Sequence, residues 1–220
     1  MNPPVWRIAA DPAAQARALA AALAAVLAEA AGRHGEACLA VSGGRSPGPL
    51  FDVLHDAALP WARIRVVLVD ERLAPEDSDE RNEGLVRRRL LRGPAAAARF
   101  TPPLDAAGRP IRAPARIDAL VLGMGADGHT ASLFPDAPEL ADALDPGRPP
   151  AYVFVTPPAA PWRRVTLNLA AILGADRLFV ALSGEDKRAV LERALRAGRA
   201  GPPIGAVLAG AAAPEIHWCP

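Results

Sequence analysis

Short runs of consecutive apolar residues recur along the chain and are separated by longer segments of mixed polarity. Such runs predict buried strands, and the segments between them are long enough for helices. We expect strands at residues 38–41, 64–69, 117–122, 152–155 and 178–182, with a last edge strand at residues 216–219. Because the apolar residues are consecutive and do not alternate with polar ones, both faces of the sheet should be covered, as in mainly parallel sheets.

Helix signals lie between the predicted strands. Asp11 followed by Pro12 is typical of an N-cap and a first turn, so we expect an alanine-rich helix that runs to about residue 31 and ends at Gly32. Further helices are expected at residues 49–55, from Ser78 or Asp79 to residue 91, and at residues 186–197. The alternation predicts a three-layer, Rossmann-like α/β fold with helices on both faces of a mainly parallel sheet.

The length and charge of the chain narrow the class of protein. A chain of 220 residues without a visible repeat predicts one domain over residues 1–220. The apolar run at residues 18–28 is shorter than the roughly 20 residues that a membrane-spanning helix needs. The first residues do not resemble a signal peptide, and a net charge of +1 does not indicate binding to nucleic acid or to an anionic membrane. We therefore expect a soluble, cytoplasmic protein.

Cysteine and histidine residues show no spacing that is typical of a metal or redox site. Cys38 and Cys219 lie in predicted strands, and we expect buried thiols. His34 and His55 lie near predicted helix ends and His217 lies in the last strand, so we interpret all three as structural or solvated side chains. We predict no metal site.

Polar residues gather at four places, and each place directly follows the carboxyl end of a predicted strand. These segments are residues 42–46, 70–72, 123–129 and 183–184. In open parallel sheets, ligands bind at that edge. The sequence therefore predicts that four separate loops converge on one site.

The most informative of these loops contains Gly123, Gly125 and Gly128, and it presents Asp127 next to His129. Glycines let the backbone approach a ligand closely and turn its N–H groups toward an anion, so Gly125 and Gly128 are candidates for contact with substrate. A histidine can exchange a proton near neutral pH. The combination indicates an enzyme that acts on a phosphorylated small molecule.

The same three glycines also match the G-x-G-x-x-G pattern of dinucleotide-binding sites. That alternative needs a long helix directly after the loop and an acidic residue about 20 positions later. Pro135 and Pro138 would end such a helix early. The strand predicted at residues 152–155 is followed by Thr156 and two prolines, not by an acid. The pattern therefore does not favour a nucleotide site.

The first of the four loops consists of Ser42, Gly43, Gly44, Arg45 and Ser46. Its backbone amides and hydroxyls, together with the start of the next helix, can hold a phosphate. Arg45 could add a charge-assisted hydrogen bond. An ordinary strand-to-helix turn has a similar composition, but its place beside the other loops favours an anion site.

Charged residues supply further candidate ligands. Asp70 and Arg72 end a predicted strand, and Arg72 is the better candidate for an anion, although a solvated charge cluster has the same pattern. Arg164 and the adjacent Arg163 are either a solvated pair of arginines or a clamp that holds a phosphate. Lys187 is the only lysine of the chain and lies in the first turn of a predicted helix. Helix N-termini favour anions, so a lysine there could share an anionic ligand with the helix amides.

Together and in this order, the segments resemble the 6-phosphogluconolactonase family over nearly the whole chain. Residues 123–135 are similar to the most specific block of that family, Gly-Met-Gly-x-Asp-Gly-His-Thr-Ala-Ser-Leu-Phe-Pro. Residues 42–47, 70–72, 164–167 and 184–187 are similar to its other segments. Two departures concern the phosphate loop and its surroundings: Arg45 and Ser46 replace Ser-Thr, and Arg81 precedes Asn82 where a serine is usual.

The resemblance implies the three-layer fold of glucosamine-6-phosphate deaminases and the hydrolysis of 6-phospho-D-glucono-1,5-lactone to 6-phosphogluconate in the oxidative pentose phosphate pathway. It implies that His129 deprotonates the attacking water and that Asp127 orients or charge-balances His129. Arg72, Arg164 and Lys187 would hold the phosphate or the sugar hydroxyls. A δ-lactone is an activated ester, so the resemblance implies no covalent nucleophile, metal or cofactor, and a small-molecule sugar-phosphate lactone is the expected partner.

Two alternatives stay open. An aldose–ketose isomerase or deaminase of the same fold would need a carboxylate base over the sugar C2 and a different segment after His129, and residues 130–134 favour the lactonase. A non-catalytic sugar-phosphate sensor would be expected to carry a DNA-binding module or to lack the histidine. The sequence does not predict an oligomeric state.

Overall fold

The computed structural model describes residues 3–44, 46–158 and 160–220. In chain order the strands are β1 (Val5–Ile8), β2 (Ala37–Val41), β3 (Ile64–Leu68), β4 (Asp70–Arg72), β5 (Arg99–Thr101), β6 (Ala119–Leu122), β7 (Tyr152–Val155), β8 (Arg164–Leu167), β9 (Leu178–Ser183) and β10 (Glu215–Cys219). The α-helices are α1 (Pro12–His34), α2 (Gly48–Leu54), α3 (Asn82–Arg89), α4 (Leu140–Ala143), α5 (Leu169–Leu173), α6 (Glu185–Ala197) and α7 (Pro203–Gly210).

A seven-stranded parallel sheet forms the middle layer, with the strand order β1-β10-β9-β6-β2-β3-β5. The chain leaves β2 toward β3 on one side, and it leaves β6 toward β9 on the other side. Neighbouring strands whose continuations diverge leave a crevice at their carboxyl ends, where ligands bind in open α/β sheets. The loops that begin at Ser42 and Gly123 therefore meet at this crevice.

Two apolar cores cover the two faces of the sheet, as the consecutive apolar runs predict. Helices α1, α2 and α3 pack on one face through side chains such as Leu23, Phe51 and Val86. Helices α5, α6 and α7 pack on the other face through side chains such as Leu191 and Ile204. The predicted three-layer α/β fold is confirmed.

Helix α1 is long and apolar enough, by length and composition alone, to cross a membrane. Its Leu19, Leu23 and Leu27 are buried against the sheet. The side-chain amide of Gln15 donates hydrogen bonds to the backbone carbonyls of Leu182 and His217 at 2.7 and 2.9 Å. This helix is therefore part of the packed fold, because its large apolar side chains already contact the protein itself.

A second, antiparallel sheet with the order β4-β8-β7 corrects the sequence prediction. The strand predicted at residues 152–155 forms with those bounds, but it belongs to this small sheet and not to the parallel one. Its partners β4 and β8 were not predicted as strands. Strand β4 consists of Asp70, Glu71 and Arg72, so it has no apolar run from which a strand could be inferred.

Other helix and strand assignments also differ from the prediction. Helix α1 passes Gly32 and ends at Gly35, whose φ of 79° is the left-handed conformation that ends many helices. Helix α3 begins at Asn82, and Ser78 does not cap it but forms a turn whose N–H donates to Pro75. The unpredicted strand β1 forms the edge of the sheet, so β10 is an interior strand.

Candidate active site

A cavity of about 610 Å³ opens at the carboxyl edge of the parallel sheet. Most of the predicted site residues line it, and they come from both sheets and from α6. These residues are Ser42, Gly43, Gly44, Ser46, Asp70, Arg72, Gly125, His129, Arg164 and Lys187. Arg45 lies outside the described residues. Asp127 and Gly128 are not among the described lining residues, and Gly128 packs instead toward Pro202.

His129 and Asp127 form a hydrogen-bonded pair in the loop that follows β6. The Asp127 carboxylate lies 2.5 Å from the Nδ1 atom of His129 and also accepts a hydrogen bond from the His129 backbone N–H at 3.1 Å. An ionised carboxylate at Nδ1 favours the tautomer with the proton on Nδ1. The Nε2 atom of His129 is then the unprotonated ring nitrogen, as a general base requires.

The imidazole of His129 is also held by its packing. It lies over the backbone of Gly125, where a Cβ atom would be 2.2 Å from Cε1 of His129, so any larger residue at that position would displace the imidazole. The ring of Phe134 packs on the imidazole with a centroid distance of 4.3 Å. Hydrogen bonding and packing together orient the ring, which general-base catalysis needs.

Asp70 is a buried carboxylate between the histidine and the arginines of the cavity. It accepts a hydrogen bond from the Ser132 hydroxyl at 2.6 Å. Burial raises the pKa of Asp70, whereas Ser132 and the positive charge of Arg164 act in the opposite direction. The side chain therefore supplies an acceptor and a compensating charge deep in the cavity.

Arg164 is 7% exposed, and its Nε atom has no hydrogen-bond partner among the described residues. Its burial lowers the pKa of the guanidinium, and the positive charge of Arg72 adds to that effect. A buried cation with an unused donor is costly unless a partner compensates it. An anionic ligand in the cavity is such a partner.

Arg72 is held at the rim of the cavity by Glu80. Its Nη1 atom donates to the Glu80 backbone carbonyl at 2.9 Å and to the Glu80 carboxylate at 2.7 Å. A Cβ atom placed on Gly44 would lie 4.0 Å from the Nη2 atom of Arg72. The guanidinium therefore lies beside the predicted phosphate loop, with Nη2 on the side of Gly44.

The predicted phosphate loop, which begins at Ser42, contacts both neighbouring elements. The Ser42 hydroxyl donates to the carbonyl of Val121 on β6 at 3.1 Å. On the other side, Asn82 lies so close to Gly43 that a Cβ atom on Gly43 would be 2.0 Å from the Asn82 side chain. Lys187 enters the cavity from the first turn of α6, which starts after Gly184.

The lining residues that the sequence analysis did not predict include Asn82, Ser132 and Phe134. Ser132 and Phe134 lie within the specific block at residues 123–135, so their proximity to His129 along the chain was an available signal. Asn82 had a weaker signal, its place after the unusual Arg81. Its contact with Gly43 depends on the packing of α3 and has no local sequence pattern.

Comparisons with known proteins identify the family of the chain. The sequence matches the family described as glucosamine-6-phosphate isomerases/6-phosphogluconolactonase over residues 10–218. It is 42% identical to a 6-phosphogluconolactonase of Pseudomonas aeruginosa, covering 98% of this chain and 94% of that protein. A second relative of the same name, from Rhizobium meliloti, is 40% identical with 96% of each chain covered.

The fold is also that of solved structures with the same name. The crystal structure of a 6-phosphogluconolactonase from Shewanella baltica superposes with a TM-score of 0.91 and 35% sequence identity. The match covers all of this chain and 99% of the other.

Proposed function

The chain belongs to the glucosamine-6-phosphate isomerase/6-phosphogluconolactonase family, and from that premise we propose that His129 is the general base of its reaction. The protein is an enzyme of the 6-phosphogluconolactonase class, so the substrate is a sugar-phosphate lactone. The observation that supports the proposed role of His129 is its pairing with Asp127 at 2.5 Å on the wall of the cavity.

The reaction needs a proton acceptor at its first step and a proton donor at its last. The Nε2 atom of His129 removes a proton from water while the water oxygen attacks the lactone carbonyl carbon. The resulting oxyanion collapses, the bond between that carbon and the ring oxygen breaks, and the imidazolium returns its proton to the leaving oxygen. Asp127 stabilises the imidazolium between the two steps.

The remaining cavity residues bind the anionic parts of the substrate. We assign Arg72, Arg164 and Lys187 to the phosphate and to the oxygen that becomes negative during the reaction. The amides of Gly43 and Gly44 and the hydroxyl of Ser46 belong to the same binding surface. The negative charge of Asp70 compensates the positive charges of Arg164 and Arg72.

The experiment that tests this function measures hydrolysis of 6-phospho-D-glucono-1,5-lactone by the purified protein, with glucosamine 6-phosphate as the comparison substrate. We expect release of 6-phosphogluconate and no release of ammonia. Deamination of glucosamine 6-phosphate, or lactone hydrolysis no faster than the spontaneous rate, would contradict the proposal.

A further inference from the structure

Glu71 is the most buried carboxylate next to the cavity, although it is not among the residues that line it. The residue is 1% exposed and lies in β4 between Asp70 and Arg72. Its carboxylate accepts hydrogen bonds from three backbone N–H groups, those of Arg72 at 2.6 Å, Asn82 at 2.7 Å and Glu83 at 2.8 Å. One side chain therefore joins β4 to the start of α3.

These hydrogen bonds replace the ordinary cap of the helix. Arg81 occupies the N-cap position of α3 and makes no side-chain capping bond. The first N–H groups of a helix need acceptors, and a negative charge at that end is favourable. Glu71 supplies both from another element, so the position of α3 relative to β4 depends on this carboxylate.

Two sets of contacts connect the start of α3 to the residues of the cavity. Asn82 donates a hydrogen bond from Nδ2 to the Asp70 backbone carbonyl at 2.9 Å, and its side chain packs against Gly43 of the phosphate loop. On the segment just before α3, Glu80 holds the guanidinium of Arg72. The positions of the phosphate loop and of Arg72 therefore depend on the segment around residues 80–82.

We propose that Glu71 is a positioning residue for substrate phosphate, which acts through Asn82 on the phosphate loop and through residues 80–82 on Arg72. The inference rests on the proposed function of the cavity. It assigns to Glu71 no contact with substrate and no part in proton transfer.

The energetics of the residue agree with that role. Burial raises the pKa of Glu71, and the three backbone N–H groups counteract this effect without removing it. A carboxylate that is costly to bury is weak evidence for a role in stability, and in several proteins such groups serve instead to select one arrangement of their neighbours.

The test compares Glu71→Gln with Asp118→Asn. Asp118 is a matched control because it is 2% exposed and accepts a backbone hydrogen bond from Cys38 at 2.6 Å, but it lies at the amino end of β6, away from the cavity. For Glu71→Gln we expect KM for the phosphorylated lactone to rise about 10-fold or more, as when a hydrogen bond to a charged group is lost, with kcat within a few-fold. Asp118→Asn should leave both constants unchanged.

The split between KM and kcat separates positioning from folding. A partly unfolded enzyme loses apparent kcat in proportion to its folded fraction and keeps its KM. An unchanged KM in folded Glu71→Gln, or an equal rise in KM for Asp118→Asn, would overturn the role of Glu71. Failure of the wild-type enzyme to hydrolyse the lactone would instead contradict the proposed function.

A double-mutant cycle tests the route through Arg72. If Glu71 acts through it, the effects of Glu71→Gln and Arg72→Ala on KM will be less than additive, whereas additive effects would contradict that route. Should Glu71→Gln fail to fold, Glu80→Ala provides the test, because the Glu80 side chain is 58% exposed. A rise of a few-fold in KM supports the proposal, and an unchanged KM overturns it.

Discussion

At the scale of single residues, the proposed chemistry depends on a hydrogen bond between side chains two positions apart. Asp127 contacts both the backbone N–H and the Nδ1 atom of His129. Because the two residues are so close in sequence, the contact forms whenever the loop adopts this turn, and Gly125 leaves room for the imidazole ring. The orientation of the proposed base is therefore encoded almost entirely within one short segment.

For His129→Ala we expect kcat to fall by about 10²–10⁴, the usual contribution of a general base. Asp127→Asn should lower kcat by less, because it acts only through the histidine. Steady-state kinetics with circular dichroism as a control for folding would measure both. A folded His129→Ala enzyme within a few-fold of the wild-type kcat would show that another group accepts the proton.

At the scale of elements, the proposed binding surface depends on how the first turns of helices are placed against the ends of strands. The first turn of α6 brings Lys187 to the cavity, and the first turn of α3 brings Asn82 onto the phosphate loop. The two helices approach from opposite faces of the sheet. An anion in the crevice can therefore be contacted from both sides.

Lys187→Ala should raise KM for the phosphorylated lactone about 10- to 150-fold, because a hydrogen bond to a charged group contributes about 1.5–3 kcal/mol. Lys187→Arg should restore only part of the loss, since a planar guanidinium does not replace a compact ammonium. Unphosphorylated gluconolactone is the control substrate and should respond little. Equal losses with both lactones would place Lys187 at the reacting carbonyl or in support of the fold.

Gly43→Ala should raise KM and lower stability, because its Cβ atom would lie 2.0 Å from Asn82, which is buried and tied to Asp70. Gly32→Ala in α1 is the matched control, since no atom of the described residues lies within 4 Å of its Cβ position. Kinetics and thermal unfolding of each variant would measure the effects. If the clash is the cause, Asn82→Gly will reduce the cost of Gly43→Ala, because the Cβ atom of Asn82 would itself lie 2.5 Å from the added one; an undiminished cost would argue against this packing.

At the scale of the whole molecule, stability depends on a buried histidine that is not among the described residues lining the cavity. His217 on β10 is 2% exposed, and neither ring nitrogen has a hydrogen-bond partner among the described residues. Burial lowers its pKa from the ordinary value of 6.5; nearby Glu215 opposes this effect and Arg7 adds to it. The folded protein therefore resists protonation at a position where the unfolded chain accepts it.

The sign of the resulting pH dependence follows from linkage. Because the pKa of His217 is lower in the folded state, its contribution to stability is complete above the unfolded value of 6.5 and is lost as the pH falls below it. We expect urea unfolding to show a smaller loss of stability between pH 8 and pH 5 for His217→Phe than for the wild type. The control is His34→Phe, at the exposed end of α1, which should keep the wild-type pH dependence of stability. If His217→Phe also keeps the wild-type pH dependence, other groups cause the loss of stability at low pH.

Several features of the molecule could be predicted from sequence because their causes are local. Consecutive apolar residues indicate strands buried on both faces, and Asp11 does cap α1, accepting a hydrogen bond from the Ala14 N–H at 2.7 Å. The pairing of Asp127 with His129 is of the same kind. The convergence of the loops followed from a general property of parallel sheets, whose carboxyl ends share one edge.

Tertiary structure alone decided which distant segments meet. Ser132 contacts Asp70 across 62 positions, and Glu71 caps a helix that begins 11 positions later in place of the predicted Ser78 or Asp79. A polar strand such as β4 forms because a neighbouring strand, here β8, completes its hydrogen bonds. The local sequence pattern of β4 does not show which strand that neighbour is. Local propensity and apolar periodicity therefore determined the layers and the proposed catalytic pair, whereas long-range pairing decided the second sheet and the support of the binding surface.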